Sequence, residues 1–435
     1  MPKTPASVEG LDGNEYERTT LSNGLRILSA PMPATRSVAV SIYVGAGSRY
    51  ERDDQAGISH LLEHLLFKGT ERRPTAQQIS EEIDGVGGVM NAGTDRELTV
   101  YYAKVARPHF FRAADVLTDM VRHPLIAAEE LEKERKVVIE ELASIADSPP
   151  QLVDVLLDAT MWPDQPLGRD VAGTEESVQA ITRQATLDYM RRQYAPNNIV
   201  VAVAGAIGHD EVVDAIDRAL GDWQPAAPAP WFPALERDDG PRIAVQHKPT
   251  EQAHIEVAVR GVSSQHPDRF AIDLISAILG EGMSSRLFLE LREKRALCYD
   301  VHSYTSHYLD TGAFAVYAGV DPEKAAEAFQ ALLADLAKMG AEGPTEQELE
   351  KARELSKGRL LLRMEDTRAV SGWLGAQELL NGRVRTVDQV VASIDAVTAG
   401  DVQRVARDLL VGDQLNLAVV GPFRSDKRFV PLLRL

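Results

Sequence analysis

The chain has 435 residues, 44% of them apolar and 26% charged, a balance that argues against a disordered or membrane chain and, at roughly 150 residues per domain, leaves room for two or three folded domains. Its formal net charge of −18 would repel nucleic acid over most of the surface and suits basic or unfolded peptides as partners. The single cysteine, Cys298, rules out an intrachain disulfide.

The opening segment has neither the apolar core of a secretory signal nor the Arg-rich, acid-poor character of a transit peptide, and no window reaches the roughly 18 consecutive apolar residues of a membrane span. The expected location is therefore the cytoplasm. Folded structure begins with strand-like alternation in LRILSAPMPATRSVAVSIYVGAG (25–47). The Leu-rich GISHLLEHLLFKGT (57–70) reads as a mostly buried helix ending at Gly69. Gly85, Val86, Gly87 and Gly88 form a helix-to-strand turn, with nothing like a nucleotide-binding loop around them. The strand MNAGTDRELTV (90–100) follows, then the long amphipathic helix AAEELEKERKVVIEEL (127–142) and a helix running into a strand, YMRRQYAPNNIVVAVAG (189–205).

The Pro- and Ala-rich stretch Gly221 to Arg242 has no sustained period and reads as a linker. Domains are predicted at 1–222 and 241–435, joined by 223–240. The second half repeats the plan of the first: alternating strands in RIAVQHKPTEQAHIEVAVRGV (242–262), a long helix in TEQELEKARELSKGRL (345–360), and a closing helix and strand in VQRVARDLLVGDQLNLAVVG (402–421). The expected fold class is α+β: two homologous α/β domains, each a mostly antiparallel or mixed sheet with helices packed on one face. A doubly wound parallel sheet is the alternative.

The chemistry centres on His60, Glu63 and His64. Residues four apart on a helix project from one face a turn apart, a spacing at which two imidazoles reach one tetrahedral zinc ion, and Glu63 shares that face at i+3 from His60. A carboxylate beside the metal but not bound to it can take the proton of the attacking water. A helix with three polar residues satisfied elsewhere in the core is the bland reading, but two histidines and a glutamate on one apolar face argue against it. A third protein ligand is required, and spacing leaves Glu134, Glu140 and Glu141 open as candidates; acidic helices are usually solvated faces.

Taken together, HLLEH, NAGTDRELTVYYAK and EKERKVVIEELASI resemble the inverted-zincin peptidases related to pitrilysin, insulysin and mitochondrial processing peptidase, over nearly the whole chain. The resemblance implies one Zn2+ per chain on His60, His64 and Glu141, Glu63 as general base, and Glu134 as a supporting carboxylate. It implies that Arg292 and Tyr299, in SSRLFLELREKRALCYDVHSY, meet the substrate and stabilise the oxyanion, and that Asn91 and Ala92 belong to an edge strand that receives an extended peptide. No second HxxEH occurs, and Ala352 and Arg359 stand where the repeat places Glu134 and Glu141. In such a family four α/β units close into a chamber, so a two-unit chain implies a homodimer by preference, with a heterodimer with a related chain as the alternative. Two rivals are a structural subunit of a respiratory complex, which the intact His60, Glu63, His64 and Glu141 oppose, and a zinc-bearing clamp that binds peptides without turnover.

Overall fold

The computed structural model describes residues 6–11, 14–235 and 240–434, so residues 1–5 of the opening segment and 236–239 of the linker lie outside the description. The described chain gathers into two compact units. The first comprises the chain up to Leu142, Asp170–Phe232 and Leu360–Val390; the second comprises Ala143–Arg169, Pro233–Arg359 and the chain from Val391.

In the first unit seven strands form one sheet: β1 (Ala6–Leu11), β2 (Asn14–Thr20), β3 (Arg26–Pro31), β4 (Ser37–Val44), β5 (Val89–Thr94), β6 (Thr99–Ala106) and β7 (Ile199–Gly205), in the order β1-β2-β3-β7-β4-β6-β5. All neighbours are antiparallel except β3 and β7. In the second unit β8 (Arg242–His247), β9 (Ala253–Gly261), β10 (Cys298–His307), β11 (Gly312–Val320) and β12 (Asn416–Gly421) run in the order β10-β11-β9-β12-β8, antiparallel except for β8 and β12. Read from its parallel pair outward, β8-β12-β9-β11-β10 reproduces β3-β7-β4-β6-β5 strand for strand and direction for direction. The mixed, mainly antiparallel sheets and the duplicated α+β plan agree with the sequence expectation.

The helices that matter for the site are α1 (Ile58–Leu66), α2 (Ala128–Asp147), α3 (Pro149–Met161) and α4 (Thr367–Asn381). Alternation along β4 explains the first unit's layering. Val38, Val40, Ile42 and Val44 point into a core shared with Leu61, Leu62, Leu65 and Leu66 of α1. The opposite face of β4 presents Ser41 and Tyr43 to α4, where Ser41 Oγ lies 2.9 Å from Ser371 Oγ and Gly375 leaves room for the Tyr43 ring. On the same helix the buried Glu378 receives Arg18 at 2.8 Å and Arg26 at 3.5 Å. In the second unit α3 plays the matching part, lying on β9 and β12 over the small side chains Ala258 and Ala418. Each sheet therefore carries, on the face away from its main helical layer, one helix drawn from the other half of the sequence.

Candidate metal centre

The α1 helix is placed by a residue outside it. Gly57 at its N-terminus takes a φ of 90°, and a Cβ there would lie 2.3 Å from the Ala172 carbonyl oxygen. With no side chain of its own to cap the helix, that end is capped by the buried carboxylate of Glu51, which accepts from Gly57 N and Ser59 N at 2.8 Å each. An anion on unsatisfied amides at the positive end of a helix dipole is well matched. Ser59 Oγ lies 2.7 Å from Tyr189 Oη, and the four leucines are sealed in the core. Glu51→Ala strands two buried amides, so it is expected to lower stability by about 2–4 kcal/mol in chemical denaturation; a loss below about 0.5 kcal/mol would show that water caps α1 instead.

So fixed, α1 brings His60 and His64 together with ring centroids 4.7 Å apart. The Nε2 atoms of both face Glu141 Oε2 of α2, each at 3.7 Å. These three are the one group of His, Cys, Asp or Glu side chains, among the described residues, whose ligand atoms converge within 4.8 Å. The separations are too long for hydrogen bonds, whereas tetrahedral ligands at about 2.0–2.2 Å from zinc stand about 3.3–3.6 Å apart. Burial and the neighbouring His64 push the His60 imidazole down to about 4, keeping it neutral and able to donate a lone pair. Its Nδ1 is buried without a hydrogen-bond partner, leaving Nε2 as the atom aimed at the convergence point. By donor type, charge state and spacing, the site fits zinc.

Two carboxylates flank this point. Glu134, one face-repeat before Glu141 on α2 and only 5% exposed, places Oε2 3.2 Å from His64 Nδ1 and Oε1 2.9 Å from Lys68 Nζ. Glu63 is 9% exposed and accepts from Thr94 Oγ1 at 2.6 Å; burial raises its carboxyl above the ordinary glutamate range, and the Thr94 hydroxyl pulls the other way.

Thr94 ends β5, which among the described strands pairs with β6 alone and lies at the edge of the sheet. Asn91 and Ala92 lie on that strand, Asn91 exposed and its Oδ1 accepting from Ala92 N at 2.8 Å. Arg292 and Tyr299 belong to the second unit. Arg292 sits on a seven-residue π-helix, Phe288–Lys294, with its guanidinium 4.9 Å from the centre of the Phe288 ring and 5.5 Å from that of Tyr299. Tyr299, on the edge strand β10, is 72% exposed. Ala352 is buried, and Arg359 pairs with Glu281. Glu51, Lys68 and Thr94 are the supporting residues that sequence reasoning did not single out.

A duplicated α+β fold bearing this donor set on its first unit is the architecture of a metallopeptidase, and the comparisons with known proteins agree. Residues 26–175 match the insulinase (peptidase family M16) model, and 180–356 match the peptidase M16 inactive domain. A zinc protease of Streptomyces coelicolor, itself uncharacterized, is 39% identical over 432 residues, covering 98% of this chain and 94% of the relative. Another from Bacillus subtilis is 35% identical over 407 residues, covering 93% and 98%. The crystal structure of a protease from Helicobacter pylori has a TM-score of 0.89 at 25% identity, covering 94% of this chain and all of that one. A chain of complex III2 from Candida albicans shares the fold, with a TM-score of 0.82 at 20% identity over 96% and 99% of the two chains. The chain belongs to peptidase family M16, the insulinase family, whose relatives carry the name zinc protease. No described helix is long and apolar enough to cross a membrane.

Proposed function

We propose that the protein is a zinc-dependent endopeptidase of short or unfolded peptides, with zinc held by His60 Nε2, His64 Nε2 and Glu141 Oε2. The observation that carries this reading is the convergence of those three donors beside the separate buried carboxylate of Glu63. Zinc supplies Lewis acidity there, lowering the pKa of water and polarising a carbonyl. Glu63 is the general base: it takes the proton of the attacking water and returns it to the leaving amine. Thr94 fixes the Glu63 carboxylate, and Glu134 orients His64 through Nδ1.

The edge strand β5 suits an extended peptide, which would pair with the backbone around Asn91 and Ala92 in place of the Asn91 side chain. That mode tolerates many sequences and excludes folded proteins, which offer no free strand. Arg292 and Tyr299 are assigned to the peptide carbonyl and its oxyanion. A homodimer completes the chamber, with a heterodimer with a related chain as the second arrangement, and the cytoplasm is the proposed location.

Metal analysis, sedimentation and cleavage of a quenched fluorescent peptide by the purified chain test the reading together. One zinc per chain, a dimer and hydrolysis are expected. Zinc without hydrolysis in a monomer would point to a missing partner chain, and zinc without hydrolysis in a dimer would favour a peptide clamp.

A further inference from the structure

Glu134 divides its carboxylate between two partners, and the second is not a metal ligand. While Oε2 faces His64 Nδ1 at 3.2 Å, Oε1 holds the Lys68 ammonium at 2.9 Å. Lys68 lies one turn beyond His64, in the bend that ends α1, and its backbone is fixed there: Lys68 N donates to Leu65 O at 3.1 Å. Gly69, at a φ of 142°, turns the chain so tightly that a Cβ would lie 2.5 Å from the Pro74 carbonyl oxygen. Gly69 O accepts from Leu125 N at 3.0 Å, and Thr70 Oγ1 donates to Asp119 Oδ2 at 2.7 Å. The lysine thus reaches Glu134 from a braced position.

A glutamate side chain has three rotatable bonds, so a single contact to His64 does not fix it. A second, cationic contact on the other oxygen selects one rotamer and one carboxylate plane, and with them the direction in which His64 Nε2 points. We propose that Lys68 is a positioning residue of the zinc site, acting through Glu134 to hold His64 in its metal-binding orientation. This rests on the zinc reading given above.

The test is zinc affinity, measured on the full-length chain by competition with a chromophoric chelator, for wild type, Lys68→Met, Lys68→Arg, Glu134→Gln and the double variant Lys68→Met with Glu134→Gln. Loss of an outer-shell partner costs about 10- to 100-fold in metal affinity. Lys68→Met is expected near the lower end, about tenfold weaker, and Lys68→Arg within about threefold of wild type. The double variant should bind no more weakly than Glu134→Gln alone, because a neutral amide no longer makes the charge-assisted contact through which Lys68 acts. The visible spectrum of the Co2+-loaded protein gives an independent readout, shifting in Lys68→Met and returning in Lys68→Arg. Equal zinc affinity and an unchanged cobalt spectrum in Lys68→Met would overturn the proposal. So would losses that multiply in the double variant, since they would show that Lys68 and Glu134 act separately. Failure of the wild type to bind zinc would instead bring down the reading of the site itself, and this inference with it.

Discussion

Glu63→Gln is expected to keep the zinc and lose the reaction. The amide has the shape of the carboxylate, and its oxygen still accepts from the Thr94 hydroxyl, which lies 2.6 Å from Oε2 in the native chain. Neither His60, His64 nor Glu141 loses a donor atom, so metal content should stay at one per chain. What disappears is the ability to take a proton from water. General-base catalysis contributes about 10²–10⁴-fold, so kcat should fall by about two to four orders of magnitude with KM little changed. Steady-state cleavage of the fluorescent peptide, alongside metal analysis of the same preparation, makes the check. A residual rate within tenfold of wild type would remove Glu63 from the base role, whereas loss of zinc together with activity would mean that its carboxylate helps to hold the metal.

How much of this was legible in the sequence depended on how local each feature is. The relation of His60 to His64 is set by the helical period alone, so two positions four apart on a Leu-rich helix sufficed. Glu141 was harder, because three glutamates stand on one helix. Spacing left Glu134, Glu140 and Glu141 open, and only the family resemblance chose among them. In the structure Leu131, Glu134 and Val138 form the buried stripe of α2 and Glu141 continues it half-buried, while Glu140 falls on the exposed side.

Thr94, Lys68 and Glu51 escaped notice for a different reason. Their roles arise from β5 lying beside α1, from α2 lying against the end of α1, and from a loop reaching the N-terminus of α1, none of which leaves a local pattern. The same holds for the exchanged helices. An apolar face on Pro149–Met161 or Thr367–Asn381 says that a helix will be buried, but not against which sheet. The repeat was readable in outline, and the matched strand orders give it its physical content.

Glu256→Gln is expected to stabilise the second unit above neutral pH. Glu256 lies on β9, 0% exposed, on the face that carries α3. Tyr304 Oη donates to its Oε1, the Asp154 carboxyl faces it at hydrogen-bonding range, and no lysine or arginine forms an ion pair with it among the described residues. The groups around it are Asp154 and Asp158 of α3, Tyr304 and His302 of β10, Tyr317 of β11 and His254 of β9. Burial first, and then the Asp154 carboxylate, push the Glu256 carboxyl up to about 9. The folded unit thus holds a proton that the unfolded chain releases near pH 4.5. For a group whose pKa is raised by folding, the contribution to stability is complete below the unfolded value and is lost as pH rises toward the folded one. The loss grows as pH climbs from the unfolded carboxyl range toward the folded one, so it is larger at pH 8 than at pH 5.

Glutamine keeps the acceptor for Tyr304 and has nothing to ionise. The variant should therefore lie close to wild type near pH 5 and be the more stable of the two at pH 8, with the gap widening as pH rises. Trp162, buried in the cluster that includes Ala258 and Tyr317, reports unfolding of this unit by fluorescence in urea when Trp223, Trp231 and Trp373 of the first unit are replaced by phenylalanine in both proteins. His254, which burial holds below the ordinary histidine range, adds a slope of opposite sign that both proteins share, so the difference between them reports the Glu256–Asp154 pair. A difference that stays constant from pH 5 to pH 9 would mean that Glu256 is already ionised in the folded protein, its charge balanced by groups other than those facing it here.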